Sequence, residues 1–126
     1  MTDDRDRRAI GRWLVACAVS IAVLVLIGGA TRLTESGLSI TEWQPVSGVV
    51  PPLSADGWQA EFTKYQRIPQ FARQNPGMSL PQFKVIFLWE YTHRLWARLV
   101  GLAFALPFAW LVIRRRVPRP VLPRLA

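Results

Sequence analysis

The run from Trp13 to Ala30 carries no charged residue. As a helix it is about 18 residues and roughly 27 Å long, close to the hydrocarbon thickness of a bilayer. A second apolar run, Leu95 to Ile113, interrupted only by Arg98, makes the same demand for a non-aqueous surrounding. In hydrocarbon the backbone must satisfy its own hydrogen bonds, so both runs are expected as helices. Arg12 and Arg32 bracket the first run and can snorkel to its two interfaces. A cleaved secretory signal would share the basic start and the small residues Gly28, Gly29 and Ala30. The run is long for a signal core and ends on no clear small-x-small cleavage site, so a retained span is expected. Asp3, Asp4 and Asp6 argue against a mitochondrial transit peptide, which avoids acids. Cys17 is the only cysteine, which excludes an internal disulfide and a thiolate metal cluster. Inside the first run it reads as a small residue facing lipid or a neighbouring helix. Ala16 with Ser20, and Ala18 with Ala22, are small pairs that would admit another helix closely.

The net charge of +8 sits on a chain that is 51% hydrophobic. Its placement separates a membrane protein from a nucleic-acid binder. Arg5, Arg7, Arg8 and Arg12 stand at one end, and Arg114, Arg115, Arg116, Arg119 and Arg124 at the other. Between them, Arg32, Lys64, Arg67, Arg73 and Lys84 face Glu35, Glu42, Asp56 and Glu61 in a nearly neutral stretch. A nucleic-acid surface would interleave basic and aromatic residues on one face. Basic flanks around apolar runs are the membrane pattern, and they put both ends in the cytoplasm with the connecting stretch outside.

That connecting stretch is punctuated by Pro45, Pro51, Pro52, Pro69 and Pro76 but also carries Trp43, Trp58, Phe62, Tyr65 and Phe71. Trp58, Phe62 and Tyr65 share one face of a short helix starting near Ser54. The face suits either the membrane surface or packing against the rest of the protein. A structured loop of this length usually serves a site. Ser79-Leu80-Pro81-Gln82 is a capping-box pattern, which opens a helix from about Leu80 to about Arg116. Pro107 should bend that helix and free the carbonyl of Ala103.

The chemistry is concentrated in Glu90-Tyr91-Thr92-His93-Arg94-Leu95-Trp96-Ala97-Arg98. Ionisable groups at the start of a membrane helix are costly and point to function. Glu90, His93 and Arg94 lie three and four residues apart, on one helical face. His93 is the only histidine, and its imidazole is a candidate axial ligand for a heme iron. The plainer alternative has Arg94 and Arg98 snorkelling and Glu90 paired with Arg94 in a wet ion pair. One histidine cannot make a bis-histidine site, so a second ligand must come from elsewhere.

The segment Gly28-Gly29-Ala30-Thr31-Arg32-Leu33-Thr34-Glu35-Ser36-Gly37-Leu38-Ser39-Ile40 resembles the stretch after the first helix of the heme A synthase family. Trp43-Gln44-Pro45, Pro51-Pro52-Leu53 and Phe83-Lys84-Val85-Ile86-Phe87 extend the resemblance. Glu90-Tyr91-Thr92-His93-Arg94 matches its E-x-x-H-R signature. The absence of loop cysteines is similar to the alphaproteobacterial and mitochondrial variety. The resemblance implies an all-α integral membrane fold: two transmembrane helices joined by a long external loop, part of a four-helix half of an eight-helix bundle. It implies oxidation of a methyl group of heme O to the formyl group of heme A, in cytochrome oxidase assembly. His93 then matches the first iron ligand of the N-terminal half, and Glu90 the acid that assists oxidation. Arg94 and Arg98 are candidates to pair with the propionates of a b-type heme. With two helices and one histidine, the chain is expected to be an incomplete, inactive part of that enzyme.

The implied organisation is a cytoplasmic tail over 1–12, a first span over 13–30 and an external loop over 31–84. A second span with its external extension covers 85–113, and a basic cytoplasmic segment 114–126. The expected location is the inner (plasma) membrane. Expected partners are heme O, lipid, the remaining helices of the enzyme, heme O synthase and further copies of the chain, with no nucleic acid. The alternatives are a small membrane b-type heme-binding protein and an assembly subunit without catalysis.

Overall fold

The computed structural model describes residues 4–116. Arg119 and Arg124, with most of the expected basic segment, lie outside the described residues. The elements are α1 (Asp4–Leu33), one 3-10 turn (Ser47–Val49), α2 (Ala55–Gln66), α3 (Pro69–Gln74) and α4 (Leu80–Ile113). No strand occurs among the described residues. Two helices, α1 and α4, are long and apolar enough to cross a membrane.

Both long helices overrun the apolar runs, because a helix does not end where hydrocarbon does. α1 begins at Asp4 rather than Trp13, with Asp4 and Asp6 in its first turn, where the helix dipole favours acids. It stops in a Schellman-type turn. The Ser36 N–H donates to the Thr31 carbonyl at 2.9 Å and the Glu35 N–H to the Arg32 carbonyl at 3.2 Å. Glu35, at φ 52°, takes the left-handed position where glycine is usual. α4 closes the same way: Arg116 donates to Leu111 and Arg115 to Val112, both at 2.9 Å, with Arg115 at φ 52°. α4 opens at Leu80, as the Ser79–Gln82 pattern predicts. One half of the capping box forms: the Gln82 Oε1 accepts the Ser79 N–H at 2.9 Å. The Ser79 hydroxyl donates to that same oxygen at 3.1 Å instead of capping the helix.

The chain divides into two compact units, Met1–Leu24 with Ala97–Ala126, and Val25–Trp96. In the first unit Pro107 stays inside a continuous α4 and cannot donate to the Ala103 carbonyl. The Trp13 indole supplies the missing donor, Nε1 to Ala103 O at 2.8 Å. The Cys17 thiol lies 4.0 Å from the same oxygen. Trp13 also stacks on Phe104 with centroids 5.1 Å apart. Cys17 is buried and faces the neighbouring helix, one of the two alternatives the sequence leaves open. Ala16, Ala18 and Ala22 are exposed, and Ser20 is half-buried.

The second unit has an aromatic core of Phe62, Tyr65, Phe83, Ile86 and Phe87. Phe83 lies 5.1 Å from Phe62 and 5.3 Å from Tyr65, ring centre to ring centre. Ser54 caps α2 by accepting the Gly57 N–H at 3.1 Å. The Trp58, Phe62 and Tyr65 face therefore packs onto the start of α4, and the membrane-surface alternative does not describe it. Burial pushes the Tyr65 phenol above its ordinary pKa, and its hydroxyl accepts from the Asn75 amide at 2.8 Å. α3 and the 3-10 turn are not anticipated by the sequence reading. α3 has only six residues, too few to show a period, and its one signal is Pro69 in the first turn.

Candidate functional site

Glu90 and Arg94 are one turn apart on α4, and the expected ion pair forms, Nη2 to Oε1 at 2.5 Å and Nε to Oε1 at 3.0 Å. It is not the wet surface pair of the plainer reading. Glu90 is only 6% exposed. Its other oxygen accepts the Ser39 hydroxyl at 2.7 Å and the Ile40 N–H at 2.8 Å. Arg94 in turn donates to the Ile40 carbonyl at 3.2 Å and the Glu42 carbonyl at 3.5 Å. Each carboxylate oxygen thus takes two donors, which uses its lone-pair sites. The pair pins residues 39–42 to α4.

The loop is shaped for this contact. After the turn that ends α1, Ser36 and Ser39 are both fully buried, and the Ser39 N–H donates to the Ser36 carbonyl at 3.2 Å. Thr34 and Ser36 share a short hydroxyl–hydroxyl contact. The Ser39 hydroxyl also lies 3.3 Å from the Ile86 carbonyl. Ser39 and Ile40, which hold the Glu90 carboxylate, are the residues of this group that sequence reasoning missed. The available signal was chemical: a buried carboxylate needs more donors than one arginine, and the hydroxyls of the loop are the nearby source.

His93 is half-buried on the same stretch of α4. Among the described residues its imidazole makes no hydrogen bond. It lies against Gly28 of α1: a Cβ placed on Gly28 would stand 3.1 Å from His93 Nε2 and 3.5 Å from Cδ2. Glu90, His93 and Arg94 are thus described together in the second unit. Arg98 belongs to the first unit, and the structure does not describe it as part of this group. Nearby in the second unit, a cavity of about 940 Å³ is lined by Thr31, Arg32, Ile40, Thr41, Gln70 and Arg73. Thr41 Oγ1 and Gln70 Oε1 are buried there without a hydrogen-bond partner. No group of three or more metal-ligating side chains occurs among the described residues, so a metal held here would need ligands from a prosthetic group or from elsewhere.

Comparison with known proteins identifies the family. The family described as COX15-CtaA, cytochrome oxidase assembly protein, matches residues 11–126. The heme A synthase of Parvibaculum lavamentivorans is 52% identical over 122 residues, covering 97% of this chain and 36% of the relative. That of Rhizobium meliloti is 57% identical over 127 residues, covering 98% of this chain and 35% of the relative. That of Paramagnetospirillum magneticum is 51% identical over 119 residues, covering 94% and 34%. The chain thus spans about a third of the length of the curated relatives it matches. No solved structure matches it. With its two spanning helices, and a match that runs from Gly11 through the rest of the sequence, the chain is a membrane protein of the COX15-CtaA family of cytochrome oxidase assembly proteins.

Proposed function

We propose that the chain forms the first two membrane helices of a heme A synthase and builds part of the site where a methyl group of heme O becomes the formyl group of heme A. The observation that carries this reading is the pairing of His93 and Glu90 on one face of α4, with Glu90 fixed by the loop and His93 unbonded. The residues suit a heme: Gly28 leaves the space beside His93 Nε2 clear of side chain. In this reading His93 holds the heme iron, and the bound heme supplies the redox chemistry.

Glu90 is a fixed charge more than a mobile proton acceptor. Four donors hold the carboxylate in place, and accepting a proton would require one to leave. A preorganised negative charge stabilises positive charge that develops on the oxidised carbon without reorganising. Arg94 is already engaged with Glu90 and with two carbonyls, so a heme propionate would have to compete for it. Arg98 keeps its proposed propionate role on charge alone. Arg32 and Arg73, which line the neighbouring cavity, add cations for a carboxylate. The arginine-rich ends support cytoplasmic termini in the inner (plasma) membrane. The two-thirds of each relative not covered here would supply the remaining helices and the second iron ligand. Heme O synthase and further copies of the chain are proposed partners on family grounds alone.

The test is the heme extracted from membranes that lack their own enzyme and carry a full-length background. The unsubstituted protein should yield heme A. His93→Ala should leave heme O with at least a tenfold loss of heme A, about 1.4 kcal/mol of barrier or more. Normal heme A from His93→Ala would overturn the role given to His93, and no heme A from the unsubstituted protein would favour an assembly subunit without catalysis.

A further inference from the structure

We propose that Gly28 is a positioning residue for the heme ligand: its missing side chain keeps open the space that the His93 imidazole and its iron bond require. The inference rests on the reading of His93 as that ligand. A glycine inside a helix is less favourable than alanine, so its presence in α1 asks for a reason. Two adjacent glycines allow the reasons to be compared. A Cβ on Gly29 would meet nothing within 4 Å. A Cβ on Gly28 would stand 3.1 Å from His93 Nε2, 3.5 Å from Cδ2 and 3.9 Å from Cε1. The nearest atom is Nε2, a nitrogen through which an imidazole binds a metal.

The surroundings keep this surface bare. One turn on, the Thr31 hydroxyl turns back and donates to the Gly28 carbonyl at 2.7 Å, so its oxygen is held by its own helix. Thr31 is itself 8% exposed, so α1 is packed at this level. On the other side, His93 follows Glu90 by one turn, and Glu90 is anchored to Ser39 and Ile40. With both helices held, a methyl group at position 28 is relieved chiefly by moving the ring. A carbon 3.1 Å from Nε2 would crowd the imidazole at the nitrogen that this reading assigns to the iron.

The experiment compares Gly28→Ala with Gly29→Ala in a full-length background, reading heme content per protein and the optical and EPR spectra of the ferric heme. The two changes alter helix propensity equally, and of the two only a Cβ at position 28 meets an atom within 4 Å. Gly29→Ala should match the unsubstituted protein. Gly28→Ala should weaken heme binding on the order of tenfold, the usual scale of overpacking, and shift the low-spin EPR signal. Gly28→Ala should add nothing further in a His93→Ala background, where the ring is gone. If Gly28→Ala behaves as Gly29→Ala while His93→Ala alters the heme spectrum, the positioning role is overturned and the ligand reading stands. If His93→Ala also leaves the spectrum unchanged, the ligand reading has failed first. If Gly28→Ala lowers protein levels equally with and without His93, Gly28 serves helix packing and the inference is overturned.

Discussion

Glu90→Ala is expected to abolish heme A formation and release residues 39–42 from α4 together. The substitution leaves the Arg94 guanidinium without its carboxylate and strips Ser39 and the Ile40 N–H of their acceptor. Removing one partner of a buried ion pair costs about 3–5 kcal/mol. An exposed pair would be worth no more than about 1 kcal/mol, and Glu90→Gln would then be nearly silent. The structure changes that expectation. A glutamine keeps one acceptor oxygen but turns an amide N–H₂ toward groups that are themselves donors. Loop release and lost chemistry therefore need separating, and Ser39→Ala does it. That change removes one donor, about 1–3 kcal/mol, and leaves the charge of Glu90 in place. Hydrogen exchange over residues 36–42 should rise in Ser39→Ala while heme A is still made. Glu90→Gln should lose heme A beyond what its own rise in exchange accounts for. Equal loss of heme A at equal loop exchange in both variants would reduce Glu90 to a fastener of the loop.

Phe83→Ala should detach α2 from α4. Phe83 is fully buried and touches Phe62, Tyr65 and Phe87 with ring centres 5.1 to 5.8 Å apart. Truncating such a ring costs about 3–5 kcal/mol, more than the partly exposed Lys64–Glu61 and Lys64–Glu42 pairs can offset. Membrane insertion should be unaffected, because α1 and α4 carry the apolar length. A cysteine at Ser54, in a Cys17→Ser background, reports both points. It should react with an impermeant reagent added from outside, and tryptic cleavage at Lys64 and Arg67 should accelerate in Phe83→Ala. Labelling only from the cytoplasmic side would reverse the proposed orientation. Unchanged cleavage would show that the aromatic cluster does not hold the loop helix.

The parts of the fold that were legible are those with a strong local cause. Two charge-free or nearly charge-free runs demand α1 and α4, and Ser79 with Gln82 marks where α4 opens. The predicted orphan carbonyl of Ala103 is real, but its partner, Trp13, lies some ninety residues away in the chain, and nothing local announces such a pairing. The site divides along the same line. Glu90, His93 and Arg94 could be grouped by helical spacing alone. Ser39, Ile40 and Gly28 could not, since their roles come from tertiary contact across the loop and α1. Gly28 and Gly29 look alike in sequence, and only the position of the imidazole distinguishes them. The aromatic face of α2 was legible as a face, while its burial depended on Phe83 and Phe87 opposite it.

The most direct measurement is the ferric heme spectrum of His93→Gly in a full-length background, recorded with and without added free imidazole. His93 as an iron ligand predicts that the substitution shifts the affected heme from low-spin to high-spin, and that free imidazole entering the vacated space restores the low-spin signal. A histidine that merely packs against Gly28 predicts otherwise: a spectrum unchanged by His93→Gly, or a changed one that imidazole does not restore, would contradict the assignment.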